Sequence, residues 1–224
     1  MTRVAALLVL AVVLAGCGGT TQSAGGESTT TEPPATTTTA TGGCNAVAAP
    51  KPKPDGGRKA PKTALDPAKR YTVTIETNCG SFAITLDPKQ SPHATAAFAS
   101  LAKSGFFDDT TFHRIVPGFV IQGGDPTGSG TGGPGFSTLD PPRPTARYTR
   151  GVVAMAKTGA EPPGTAGSQF FVVTADDAGL PPDYAVIGTV TKGLPVVMRI
   201  GALGNAQEQP TQPVVISRTT VAEA

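Results

Sequence analysis

Arg114, Phe119 and Gln122 lie close together in two short apolar runs joined by Pro117-Gly118, and Phe171 lies in another β-type run further along the chain. A guanidinium is permanently charged and presents a rigid fork of donors. Such a fork can stabilise a lone pair that develops on a bound group, and a contact that strengthens along the reaction is what catalysis requires. Phe119 and Phe171 can wall an apolar pocket. Gln122 can hold a bound carbonyl, or Arg114 itself. Strict alternation would put Arg114 and Gln122 on one face, but Pro117-Gly118 breaks the run between them, so parity does not prove it.

Other chemistries find little support. The chain has two histidines, His93 and His113, which cannot build a histidine-rich metal site, and we expect no metal and no cofactor. His113, beside Arg114, reads as a buried hydrogen-bonding residue rather than an acid–base group. Gly128-Ser129-Gly130-Thr131-Gly132-Gly133 spells a dinucleotide fingerprint, yet Pro134-Gly135 follows where a helix would have to begin. Those glycines more readily let a loop pass close to a bound chain. No Gly-x-Ser-x-Gly elbow is present, so hydrolase readings lack a nucleophile.

The elements that position these residues are mostly strands. Tyr71, Val73 and Ile75 alternate with Thr72, Thr74 and Glu76; after Asn78-Cys79-Gly80 the alternation resumes at Phe82, Ile84 and Leu86. This predicts a hairpin with one apolar face. Ser91 as N-cap, Pro92 in the first turn and Gly105 past the end predict a helix with Ala94, Ala97, Phe98 and Leu101 inward. Short strands are expected at 112–116, 119–122, 151–156, 169–174 and 185–190, then a helix over 195–202 and a last strand over 214–221. Many short strands with Gly/Pro punctuation and two helices indicate a mostly β domain.

Ahead of that domain the text is different. Arg3 and the apolar run Val4–Leu14 read as a targeting segment, too short for the about 20 residues that span a bilayer. It ends in Leu14-Ala15-Gly16-Cys17, which looks like the lipobox of bacterial lipoproteins, so residues 1–16 would be cleaved and Cys17 would carry the lipid. A plain secretory signal is the alternative. Residues 17–70 then form a linker, Thr-rich at first and rich in Lys-Pro and Ala-Pro pairs later, with too few large apolar side chains to offset ordering entropy; disorder is expected. Setting Cys17 aside leaves Cys44 and Cys79, which in an oxidising compartment permit one disulfide stapling the linker to the domain; two free thiols are the alternative. The domain from Tyr71 to Ala224 carries ten Lys/Arg against twelve Asp/Glu. With no basic stripe, nucleic acid is not an expected partner, and a monomer is the default.

The run Phe112-His113-Arg114-Ile115-Val116-Pro117-Gly118-Phe119-Val120-Ile121-Gln122-Gly123-Gly124-Asp125 and the run Gly167-Ser168-Gln169-Phe170-Phe171 resemble the active-site strands of the cyclophilin family of peptidyl-prolyl isomerases. Similarity extends over about residues 71–221. The resemblance implies a closed eight-stranded antiparallel barrel capped by two α-helices. It implies that Arg114 is the catalytic arginine, acting with Phe119 and Gln122. It assigns Val120, Ala156, Lys157, Gln169, Phe171, Leu180 and Tyr184 to the substrate surface. Many eukaryotic members have a pocket-wall tryptophan; this chain has none, and Gly179 falls there, which implies weak cyclosporin binding. Together with the leader, the resemblance implies a lipid-anchored, extracytoplasmic isomerase acting on X–Pro segments of secreted or surface proteins. The alternative is a non-catalytic module on the cell surface that binds proline peptides.

Overall fold

Alternation along the first strands does what period-two patterning dictates. The computed structural model describes residues 43–224; the leader, Cys17 and nearly all of the Thr-rich tract lie outside the described residues. Strands β1 (Tyr71–Thr77) and β2 (Gly80–Leu86) form a hairpin whose inward residues Val73, Ile75, Phe82 and Ile84 are almost wholly buried. Then come α1 (Pro92–Lys103), β3 (Thr110–Thr111), β4 (Arg114–Val116), β5 (Val120–Gly123), β6 (Thr138–Leu139) and β7 (Val152–Met155). The chain ends with β8 (Thr165–Ala166), β9 (Phe170–Val173), β10 (Val186–Lys192), α2 (Leu194–Gly201) and β11 (Val215–Glu223).

The closed eight-stranded barrel is not what forms. Nine strands pair in the open order β3-β11-β1-β2-β10-β7-β9-β5-β4, with a separate ribbon of β6 and β8. The two edge strands, β3 and β4, are consecutive in the chain, so the antiparallel sheet curls until its edges nearly meet. They do not pair, for a local reason. Phe112 between them turns fully into the core, and the Ile115 amide donates to the Glu208 carbonyl (2.8 Å) instead of to a strand. A loop from the distant end of the sequence thus fills the gap.

The sheet buries both faces. On one side Phe98, Phe107, Phe112 and Phe170 meet with ring centroids 5.1–5.9 Å apart, and α1 closes the core. On the other, Val120, Tyr148, Ala154, Phe171, Val173 and Val186 form a second cluster. Successive residues of β9 therefore serve opposite sides, Phe170 one core and Phe171 the other. Helix α1 begins after Ser91 as expected, but Ser91 makes no side-chain cap; the buried carboxylate of Asp140 accepts the Ala94 amide at 2.6 Å in its place. That anion at a helix start satisfies an orphan donor and faces the positive end of the dipole.

Residues 43–70 do not match the expectation of a disordered spacer. They run along the domain as an ordered strap without regular secondary structure. Backbone bonds tie it down at Asn45 N to Asn78 O, Lys53 N to Pro126 O, Gly56 N to Gly133 O and Arg58 N to Pro134 O, all 2.8–2.9 Å, and side chains such as Lys53 and Asp55 add more. Cys44 is bonded to Cys79 at the turn of the first hairpin. The ammonium of Lys53 donates to the carbonyls of Phe106 (2.7 Å) and Asp108 (2.8 Å) just past α1; burial pulls its pKa down, and the Asp108 carboxylate opposes that. Polar pairing supplies most of what composition does not show, with Cys44 and Leu65 packed against the core beside it.

Candidate active site

Pro117 and Gly118 make the turn between β4 and β5. Gly118 has φ +69°, and the Phe119 amide closes the turn on the Val116 carbonyl at 3.0 Å. Pro first and a left-handed glycine second are what a type II turn asks for. The turn sets the register Arg114↔Gln122 and Val116↔Val120, and β5 continues it to β9 as Gln122↔Phe171. Directly opposed residues share a face of a sheet. Arg114, Gln122 and Phe171 therefore stand in one row across three strands, which parity along the sequence could not establish.

That row opens onto a cavity of about 180 Å³ lined by Arg114, Phe119, Val120, Gln122, Ala156, Lys157, Phe171, Leu180 and Tyr184. It is smaller than the roughly 300–1,000 Å³ of drug-sized ligand sites and suits a small ring. Its floor is rigid: Phe171 and Tyr184 meet edge to face at 5.4 Å, and the Tyr148 hydroxyl, donating to the Tyr184 carbonyl (2.8 Å) and accepting its amide (2.9 Å), fixes that tyrosine. Burial raises the Tyr148 pKa, opposed by backbone hydrogen bonds from Tyr184 and Asp183. Lys157 is no free cation; its ammonium lies 2.6 Å from Asp183, and only 4% of its side chain is exposed.

Gln169, also expected at the site, does not line this cavity. It lines the larger adjoining one of about 460 Å³, together with Gln122, Ala156 and Lys157. Gln169 nevertheless connects the two. Its amide donates to the carbonyls of Gly130 and Gly132 and its oxygen accepts from Gln122 at 3.0 Å, while the Gln122 oxygen accepts Nη1 of Arg114 at 3.2 Å. The glycine-rich loop at the far end is organised by Asp125, a buried carboxylate that accepts the amides of Thr127, Gly130 and Gly132. Burial alone would raise the Asp125 pKa; those bonds and the Thr127 hydroxyl outweigh it and hold it below 3.8. At Gly132 a side chain would collide with that carboxylate, so the glycine is needed there.

Three features escaped the sequence. Glu208, on the loop that fills the sheet's gap, accepts Nε of Arg114 at 2.7 Å. Asp125 stood in the motif without a role, and Tyr148 had no pattern to mark it. His113 packs beside Gly130 with both ring nitrogens outside strict hydrogen-bond geometry, while the Gln169 side chain and the Thr111 backbone lie next to the ring. Burial holds its pKa below 6.5, with the Asp125 carboxylate opposing, which keeps the ring neutral. Among the described residues no group of three His, Cys, Asp or Glu side chains is placed to hold a metal ion.

A curled antiparallel sheet with an arginine-edged apolar cavity has the shape to receive a small ring and donors to present to it. A family model for "Cyclophilin type peptidyl-prolyl cis-trans isomerase/CLD" matches residues 72–221, and the chain belongs to that family. It is 37% identical over 156 residues to peptidyl-prolyl cis-trans isomerase-like 1 of Aspergillus fumigatus, covering 67% of this chain and 95% of that protein. The Bos taurus protein of the same name is 40% identical over 149 residues, with 64% and 88% covered. A crystal structure of a Cryptosporidium parvum cyclophilin-type isomerase superposes with a TM-score of 0.63 at 32% identity, covering 68% of this chain and 98% of that one. The same isomerase in the presence of the dipeptide Ala-Pro gives 0.62.

Proposed function

We propose that this chain accelerates cis/trans exchange at X–Pro bonds of proteins folding outside the cytoplasm, from a lipid anchor at Cys17. Rotation about a peptide bond faces about 18–20 kcal/mol because resonance gives the C–N bond double-bond character. As the bond twists, the prolyl nitrogen regains a lone pair. Donors of Arg114 at the cavity edge strengthen against that lone pair and gain nothing against the planar amide, which is the differential binding that lowers a barrier. Phe119, Val120, Phe171, Leu180 and Tyr184 grip the ring; Gln122 with the backbone at Ala156 and Lys157 holds the flanking chain. No bond is made or broken, so no nucleophile takes part.

The observation that carries the reading is a guanidinium tethered at the edge of a ring-sized apolar cavity. The Cys44–Cys79 bond supports the extracytoplasmic part, since disulfides persist in oxidising compartments. The Ala-Pro dipeptide placed with the Cryptosporidium parvum relative suits the same ligand class here. Two measurements test the proposal: line exchange of an X–Pro peptide by NMR with the full chain, and incorporation of a fatty-acid analogue in wild type and Cys17→Ser. No acceleration refutes the isomerase; equal labelling of the two proteins refutes the anchor.

A further inference from the structure

We propose that Glu208 is a positioning residue for the reaction, fixing the guanidinium of Arg114 from across the gap in the sheet; this rests on the isomerase reading above. An arginine side chain has many rotamers, and a catalytic donor helps only when held where the lone pair appears. Two bonds hold this one. Glu208 takes Nε at 2.7 Å and Gln122 takes Nη1 at 3.2 Å. Two contacts on different sides of a planar fork fix its plane, and the other N–H groups stay available to the cavity that Arg114 lines.

The backbone shows that Glu208 is placed with care. Its carbonyl accepts the Ile115 amide, so the loop is anchored to β4 next to the arginine it serves. Asn205 builds the turn behind it: its carboxamide oxygen accepts the amides of Gln207 and Gln209, and its own amide bonds the Gln209 carbonyl. Within that turn Glu208 has φ +62°, one of only two non-glycine residues with positive φ among those described. Glycine would adopt this conformation without penalty. A carboxylate kept where glycine would be less strained points to a role other than stability.

Glu208→Gln, Glu208→Ala and Glu208→Gly in the full chain test this, with kcat and KM for an X–Pro peptide measured separately. The Nε–H signal of Arg114 is followed in ¹⁵N-resolved spectra. Loss of the carboxylate should lower kcat, by up to about 100-fold if the guanidinium shifts by about 1 Å, with KM nearly constant. Glutamine should recover part of the loss. The glycine variant should keep or gain thermal stability while remaining slow, which a structural role would not produce. Exchange of the Nε–H with water should speed up in all three. An unchanged kcat, an effect confined to KM, or an Nε–H that stays protected overturns the proposal. If wild type accelerates nothing, the isomerase reading fails instead, and the Nε–H comparison, which needs no turnover, still decides whether Glu208 fixes the guanidinium.

Discussion

Replacing Arg114 by alanine separates catalysis from stability because its contacts are asymmetric. Its side chain is 35% exposed and its partner Glu208 is 49% exposed. Pairs this open to solvent contribute about 0–1 kcal/mol. The alanine variant should therefore melt within roughly 2–4 °C of wild type, the shift that 1 kcal/mol causes in a chain of this size. Chemistry should suffer far more. Deleting one preorganised donor to a developing charge costs about 100- to 1,000-fold, or roughly 2.7–4 kcal/mol. Cis-to-trans exchange of a short X–Pro peptide, read by protease coupling, gives kcat/KM; thermal unfolding of the same samples gives the other half. Retention of activity within threefold would refute the donor argument. A drop in stability of several kcal/mol would show instead that Arg114 is structural.

Phe171 is 4% exposed and packs against Tyr148 and Tyr184, so Phe171→Ala should cost about 3–5 kcal/mol in a denaturant titration; partly exposed Phe119→Ala should instead weaken peptide binding with a small stability change. Reduction of Cys44–Cys79, which closes a loop of sequence separation 35, should cost about 4 kcal/mol on loop-closure reasoning. Exchange activity should persist, because no strap residue lines the small cavity; loss of activity on mild reduction would contradict that placement. Folding depresses the pKa of both His113 and Asp125, so the unfolded chain binds more protons and stability falls as pH falls. The decline from His113 begins below its ordinary 6.5, and that from Asp125 below 3.8; His113→Phe should remove the first step of a stability-versus-pH curve and leave the second.

Much of the site was legible because local patterning encodes it. Alternation over Tyr71–Leu86 and the Pro-Gly turn at 117–118 fix hairpins whose registers follow from turn chemistry, and Phe170-Phe171 faces two cores because adjacent strand residues must. What was not legible depends on residues far apart in the chain. Nothing near Glu208 in the sequence announces a partner 94 positions earlier. The Asp140 cap of α1 replaces a serine that fitted every local rule, because a buried anion outcompetes a hydroxyl for the same amide. The strap looked like a spacer for the same reason: its partners are loop carbonyls and amides that carry no side-chain signature.

The gap between β3 and β4 makes the order of synthesis matter. β4 is finished by the Glu208 carbonyl, β3 pairs only with Val215 and Ile216, and the outer edge of β1 is covered by β11. All three contacts come from residues 203–223. A chain halted at Ala202 can form the Arg114–Gln122 hairpin, but its arginine lacks the Glu208 carboxylate, its sheet is bare at β1 and β4, and β3 has no partner. At about 5–20 residues per second, residues 203–223 take the ribosome roughly one to four seconds to add. The guanidinium would thus be fixed only after the loop that carries Glu208 has been made and has folded back onto β4.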